Sequence, residues 1–362
     1  MKNTFGNNVS ITVFGESHGN SVGVVIDGLP SGVEVSEEFI CHQLDLRRPY
    51  GKISTPRQET DKFTLQSGVY NGKTTGTPIC ITIPNENTKS KDYNYGVARP
   101  GHADFTGFMK FNGNEDYRGG GHFSGRITAG IVAGGAIAIE ILKNKGILIG
   151  THIKKCANVE DEDFGDYIKD INELNNKLFA VLDDEKGEEM IKNIENVAKE
   201  KDSVGGVLET VVTGIPAGVG EPWFDSLESV ISHALFSIPA IKGVEFGCGF
   251  ECSDMLGSQM NDEFFYDGAT VQTITNNNGG INGGITNGMP VIFRCAVKPT
   301  PTISKVQNTV NFITNENIKT EIHGRHDPCI VHRARVVVDS ITAIALCDLL
   351  SQKFGTDWLG EK

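Results

Sequence analysis

ITAGIVAGGAIAIEILK, residues Ile127–Lys143, is the stretch on which the fold turns. Alanine and isoleucine dominate it, and its glycines fall where a neighbour can approach closely, so it reads as the central helix. Upstream, Val9–Phe14 alternates and reads as a strand ending at Gly15, with Val22–Ile26 as a second. Ser36–Leu46 has helical spacing, with Ser36 as N-cap and acids in the first turn. Phe63–Tyr70 and Pro78–Ile83 read as strands separated by the turn residues Asn71-Gly72. Downstream, Ala157–Ser203 is acidic, lysine-rich and largely helical, the composition of a solvated surface. Val207–Val212 and Gly243–Phe246 read as strands flanking a helix near Asp225–Phe236. Val291–Val297 reads as a strand and Val331–Lys353 as a long C-terminal helix. No linker or repeat divides the chain, so residues 1–362 are expected to form a single domain. Strands and helices intermix without a regular β-α-β rhythm, which predicts an α+β fold of layered sheets and helices.

The composition, 38% hydrophobic and 22% charged, is that of a globular protein. A net charge of −13 argues against nucleic-acid or membrane partners, which call for basic patches. The N-terminal MKNTFGNNVS lacks the apolar core of a signal peptide. No apolar run is expected to reach the ~18 residues of a membrane span. Eight cysteines are scattered without metal-ligand spacing and read as the reduced thiols of a cytoplasmic protein. The 43 glycines come in clusters, as in loops that pass close to a ligand.

The arginines locate those loops. All ten are Arg47, Arg48, Arg57, Arg99, Arg118, Arg126, Arg294, Arg325, Arg333 and Arg335, with none between Arg126 and Arg294 although lysines are spread throughout. Guanidinium is the group suited to bidentate grips on phosphate and carboxylate, so this distribution points to anion binding near the glycine-rich segments. Histidines follow the same segments: His18, His102, His122, His326 and His332. Their neighbours are Gly, Arg or acids, company that suits proton transfer better than core packing. His42, His152, His233 and His323 read as structural.

Three familiar motifs fail. SGVYNGKT at Ser67–Thr74 has serine where a phosphate-binding loop needs its first glycine. The run Gly119–Gly121 has Ser124 where a dinucleotide fingerprint needs its last glycine, and it follows no apolar strand. Cys248 and Cys252 form a CxxxC pair with no third ligand nearby, so no metal is expected.

The remaining segments carry a resemblance. FGESHG (Phe14–Gly19), RPGHAD (Arg99–Asp104), YRGGGHFSG (Tyr117–Gly125) and IPAIKGVEFG (Ile238–Gly247) resemble the chorismate synthase family in identity and order. So do NGGINGGITNG (Asn278–Gly288), VKPTPTI (Val297–Ile303) and GRHDPCIVHRA (Gly324–Ala334). The resemblance implies a β–α–β sandwich assembled as a homotetramer. It implies a lyase that uses reduced FMN (FMNH2) for the anti 1,4-elimination of phosphate from 5-enolpyruvylshikimate 3-phosphate. The product is chorismate, at the last step of the shikimate pathway. Such ligands are polyanions, and screening over about 8 Å lets local arginines outweigh the global negative charge.

Site roles follow from the same resemblance. His18, with Ser17 beside it, stands where the family protonates the departing phosphate. His102 stands where the reduced flavin ring is protonated, and Asp327 where the substrate proton is taken. Arg47, Arg126, Arg325 and Arg335 stand at positions implied to grip substrate anions, and Arg47 is also linked to NADPH as flavin reductant. Cofactor contacts are implied for His122, Phe123, Ser124, Pro239, Ala240, Gly283, Lys298, Pro299, Thr300, Pro301, Thr302, Arg325 and Arg47. HFS at His122–Ser124 departs from the RSS of many members, and Pro239 replaces an Asn. Arg57 and Arg294 lie outside the matched motifs and are expected to tolerate lysine. No further segment is suited to binding a dinucleotide, so an external flavin reductase is expected to supply the reduced cofactor. A flavin-dependent oxidoreductase and a non-enzymatic anion binder are the competing classes.

Overall fold

Two five-stranded antiparallel sheets face one another across a double layer of helices, in a computed structural model that describes residues 2–57, 59–88, 94–322 and 327–361. The first sheet runs Thr4–Phe5, Ser10–Gly15, Ser21–Asp27, Ile79–Pro84, Thr64–Ser67. The second runs Ile241–Phe246, Val291–Val297, Gly206–Thr213, Leu148–Cys156, Val159–Glu160. Alternation puts one face of each sheet inward: Val22, Val24 and Ile26 in the first, and Val291, Phe293, Cys295 and Val297 in the second.

The central helix, Thr128–Asn144, packs on the first sheet, and the C-terminal helix, Val331–Phe354, packs on the second. They also pack on each other, with Glu37–Arg47 alongside both. The expected close approaches are present. A Cβ at Gly130 would lie 2.7 Å from the Gly23 carbonyl oxygen, and one at Gly135 would lie 2.3 Å from Ser340 Cβ. Any side chain there would push the helix off the sheet or off its partner helix. The segment Gly125–Asn144 is in fact long and apolar enough to cross a membrane, with a mean hydropathy of 1.5, contrary to the expectation of no such run. Of its most apolar window, 83% is buried inside the fold, so it is a core helix.

Several elements follow the sequence reading. Ser36 caps its helix by accepting a hydrogen bond from the Phe39 amide at 3.0 Å. The strand Val291–Val297 and the C-terminal helix also lie where expected. Asn71 and Gly72, both at positive φ, close a separate hairpin between Val69–Tyr70 and Lys73–Thr74, while Thr64–Ser67 pairs with Ile79–Pro84. The charged 157–203 region is more than a solvated surface. Its helices Tyr167–Leu174 and Asp184–Lys199 bury Ile171, Leu174, Met190 and Ile194, and the first of them packs on Leu148–Cys156.

Candidate active site

A cleft of about 1090 Å³ opens where loops from the first sheet meet the start of the C-terminal helix. Four arginine–carboxylate groups build its polar wall. Asp61, buried at positive φ, accepts from Arg47 Nη2 at 3.2 Å and from Arg126 Nη1. Arg126 also donates through Nε to Asn85 Oδ1 at 2.9 Å and through Nη2 to the Pro84 carbonyl at 3.1 Å. Burial alone would raise the Asp61 carboxyl, but Arg47 and Arg126 outweigh it and hold it below the usual carboxylate range. Burial, assisted by the cations of Arg126 and Arg333, pulls Arg47 down to about 10 despite Asp61.

Arg57 bridges Glu59 and Ser17. Its Nη2 and Nε donate to Glu59 Oε1 at 2.8 and 3.1 Å, and its Nη1 donates to Ser17 Oγ at 3.1 Å. Asp327 Oδ1 accepts from Arg333 Nη1 and from the Thr55 amide, both at 2.8 Å. Among the described residues, Asp327 Oδ2 accepts no hydrogen bond. Arg333 reaches back through Nε to the Arg47 carbonyl at 3.0 Å, tying two of these groups together. Arg99 grips Asp104 with Nε at 2.8 Å and Nη2 at 2.6 Å.

The glycine run sits between two histidines for a steric reason. Gly119, Gly120 and Gly121 all have positive φ. A Cβ at Gly119 would lie 2.6 Å from His18 Nε2, and one at Gly120 would lie 3.0 Å from His102 Nε2. Only glycine lets this loop touch both rings at once. His122 donates from Nδ1 to the Gly15 carbonyl at 2.7 Å, closing the loop onto the strand that leads into Ser17 and His18.

The structure gathers most of the expected site residues. Arg47, His102, His122, Phe123, Ser124 and Arg126 line the cleft, as do Pro239, Ala240, Lys298, Thr300, Pro301, Thr302 and Asp327. Ser17 and His18 are buried directly behind its wall, in contact with Arg57 and Gly119. Lys298 donates to the Gly101 carbonyl at 2.6 Å, joining the KPTPT segment to the His102 loop. Arg325 and His326 lie outside the described residues. Pro299 and Gly283 are not among the lining residues, and Gly283 sits exposed in the turn between Ile281–Asn282 and Ile285–Thr286.

Two placements depart from expectation outright. Arg335 does not reach the cleft: it is buried in the helical layer, donating to Asp339 at 3.2 Å and to the Lys177 carbonyl at 2.9 Å. His332 is a core histidine, stacked on Phe179, with Nε2 2.8 Å from Ser54 Oγ. Conversely, Arg57, set aside as lying outside the motifs, lines the cleft together with Glu59, Asp61 and Arg333. The close succession of one arginine and two acids in PRQETD was the available signal, since an arginine beside carboxylates is held in a fixed direction. Arg294 lies in the second sheet, paired with Glu245 at 2.8 Å.

The cleft suits anionic ligands and a phosphate-bearing cofactor. Arg47 Nε and Thr300 Oγ1 are buried polar atoms on its lining residues with no partner among the described residues. The depressed Arg47 lies near two other guanidiniums, so a bound anion relieves both the orphaned donor and the cation crowding.

A family model described as chorismate synthase matches residues 9–350. A chorismate synthase of Methanococcus maripaludis is 46% identical over 364 residues, covering 96% of this chain and 97% of its own. One of Dehalococcoides mccartyi is 46% identical over 353 residues, covering 96% of each chain. A solved crystal structure of chorismate synthase superposes with a TM-score of 0.77 at 32% identity, covering 97% of this chain and 94% of that one. With the matches running almost end to end and the fold shared, this chain belongs to the chorismate synthase family, carbon–oxygen lyases of the shikimate pathway.

Proposed function

We propose that the chain eliminates phosphate from 5-enolpyruvylshikimate 3-phosphate in the anti 1,4 sense, with reduced FMN bound in the same cleft. The observation that carries this is the convergence of His102, Asp327 and four arginine–carboxylate groups on one cleft, with His18 behind the glycine loop. In this reading the C–O bond to phosphate breaks, and Asp327, through its open Oδ2, helps take the substrate C–H proton. His18 protonates the departing phosphate, so the step has no net redox change. Arg47 and Arg126 orient the substrate anions, holding the reacting atoms in line. His102 holds a proton towards the flavin ring. Reduced FMN, when bound, supplies electron density transiently to an elimination that is unfavourable without it. His122–Ser124, Pro239-Ala240 and Lys298–Thr302 would hold it. Ligands seated in the cleft displace water from it, which strengthens every one of these charge contacts.

The chain works as a single domain and depends on an external flavin reductase. On the same reading it is a homotetramer in the cytoplasm; the exposure of Trp223 (83%) and Phe224 (91%) supports only a surface that another copy covers. The deciding experiment is anaerobic turnover of the purified chain with chemically reduced FMN. A lyase forms chorismate without stoichiometric loss of reductant. An oxidoreductase consumes the reductant, and a binding protein forms no chorismate.

A further inference from the structure

The His102 ring is gripped at one nitrogen and open at the other. Its Nδ1 lies 3.1 Å from Asp104 Oδ1 and 3.1 Å from Arg99 Nη2. These two contacts ask for opposite tautomers. A guanidinium can only donate, which needs a lone pair on Nδ1, whereas an ionised carboxylate can only accept, which needs a proton there. The carboxylate decides between them. Its negative charge beside Nδ1 favours a proton on that nitrogen, and Arg99 Nη2 makes its shorter, charge-assisted bond to Asp104 Oδ1, at 2.6 Å against 3.1 Å to the ring. Burial alone would raise the Asp104 carboxyl, but hydrogen bonds from Arg99 and His102 hold it well below the usual carboxylate range. It therefore stays an acceptor at any working pH.

Asp104 is itself pinned. It is the first residue of the helix Asp104–Phe111, and its Oδ2 accepts from both the Arg99 amide and Arg99 Nε at 2.8 Å. Its side chain is 13% exposed and that of His102 is 17%, so solvent screens the pair little. On the other edge of the ring, Nε2 has no hydrogen-bond partner among the described residues and lies beside Gly120. Any side chain at residue 120 would occupy the space next to that nitrogen.

From this geometry we infer that Asp104, clamped by Arg99, is a positioning residue that keeps Nδ1 of His102 protonated and presents Nε2 to the cleft as the proton-handling atom. The inference rests on the reading of His102 as a proton donor and adds the residue that sets its tautomer. Asp104→Asn preserves shape but can donate to Nδ1, which reverses the tautomer.

The test has two readouts. The first is the long-range 1H–15N spectrum of histidine-labelled chain, taken free and with oxidised FMN. The parent should show His102 protonated at Nδ1, and D104N should show it protonated at Nε2. The second is steady-state kinetics of D104N, His102→Ala and the double variant. D104N should lower kcat on the order of 10²–10³ with KM little changed, the scale of a misplaced acid–base group. It should add almost nothing in the His102→Ala background. An unchanged tautomer, full D104N activity, or the same loss in both backgrounds overturns the positioning role and leaves the His102 reading standing. Full activity of His102→Ala overturns the underlying reading as well. If D104N does not fold, Arg99→Lys carries the test, because it keeps the charge but loses the fork that orients the carboxylate. It should give a smaller kcat loss with mixed tautomers, and parent-like values in both would refute the clamp.

Discussion

Lowering the pH from 7 to 5 should destabilise this protein by about 2 kcal/mol through His332 alone. The ring is fully enclosed by the C-terminal helix, Phe179 and Tyr50, with Ser54 Oγ on Nε2 and no partner for Nδ1 among the described residues. Burial, helped by the Arg333 cation, lowers its pKa to about 3. An unfolded chain takes up the proton near pH 6.5, as a free imidazole does. Between those values the unfolded state binds more protons than the folded one. Stability is therefore intact above about pH 6.5 and is lost progressively as pH falls towards 3. Over pH 7 to 5 the binding-polynomial ratio for the unfolded histidine is about 25, which gives the quoted 2 kcal/mol. Other groups titrate too, so the control is His332→Gln, which retains an amide for Ser54 but cannot ionise. Equilibrium urea unfolding at both pH values should show the parent losing about 2 kcal/mol more than the variant. Equal losses would refute the buried, neutral histidine. The effect bears on the cleft because Ser54 adjoins Thr55, whose amide holds Asp327.

Three further outcomes are expected. Arg57→Lys should cut kcat/KM by roughly 10–100-fold, because one ammonium cannot keep both the Glu59 fork and the Ser17 contact, and each charged hydrogen bond is worth about 1.5–3 kcal/mol; parent-like kinetics would return Arg57 to a merely structural role. Arg335→Met should leave substrate KM nearly unchanged but cost about 3–5 kcal/mol in unfolding experiments, since it strands the buried Asp339 carboxyl; a raised KM with unaltered stability would restore Arg335 to the substrate site. In air, NADPH with oxidised FMN and no added reductase should yield almost no chorismate, whereas anaerobic reduced FMN sustains it; rapid turnover in the first assay would show that the chain reduces flavin itself and direct attention to Arg47.

What was legible in the sequence and what was not divides on where the compensating partner lies. The helix around Ile127–Lys143 needs only its own residues to explain its burial, so composition reveals it. The strand Leu148–Cys156 went unread because its buried positions include Thr151, His152 and Lys154, which look like surface residues. Their partners are distant in the chain: His152 lies 2.7 Å from Asp161 and 3.2 Å from Glu209, and Thr151 donates to Asp339 at 2.6 Å. A buried polar group is tolerable once it is paired, and that pairing is a property of the fold.

The arginines show the same division at the site. Arg333 and Arg335 read alike in VHRAR, yet two residues on a helix are about 200° apart, so when one faces the cleft the other cannot. The helix around them is buried almost throughout, from Val331 to Ser351, which leaves no polar face in the sequence to say which arginine looks outward. Nor could a count of cations show that each cleft arginine already holds a carboxylate: Asp61, Glu59, Asp104 and Asp327. Among the described residues, five cleft arginines share these four carboxylates, so most of their positive charge is balanced before any ligand enters. The cleft's grip on an anion comes from N–H donors in fixed directions more than from unbalanced positive charge, and the acids hold those directions. Removing Asp61 should then weaken anion binding even though it raises the local positive charge, because Arg47 and Arg126 would lose the group that keeps their forks aligned.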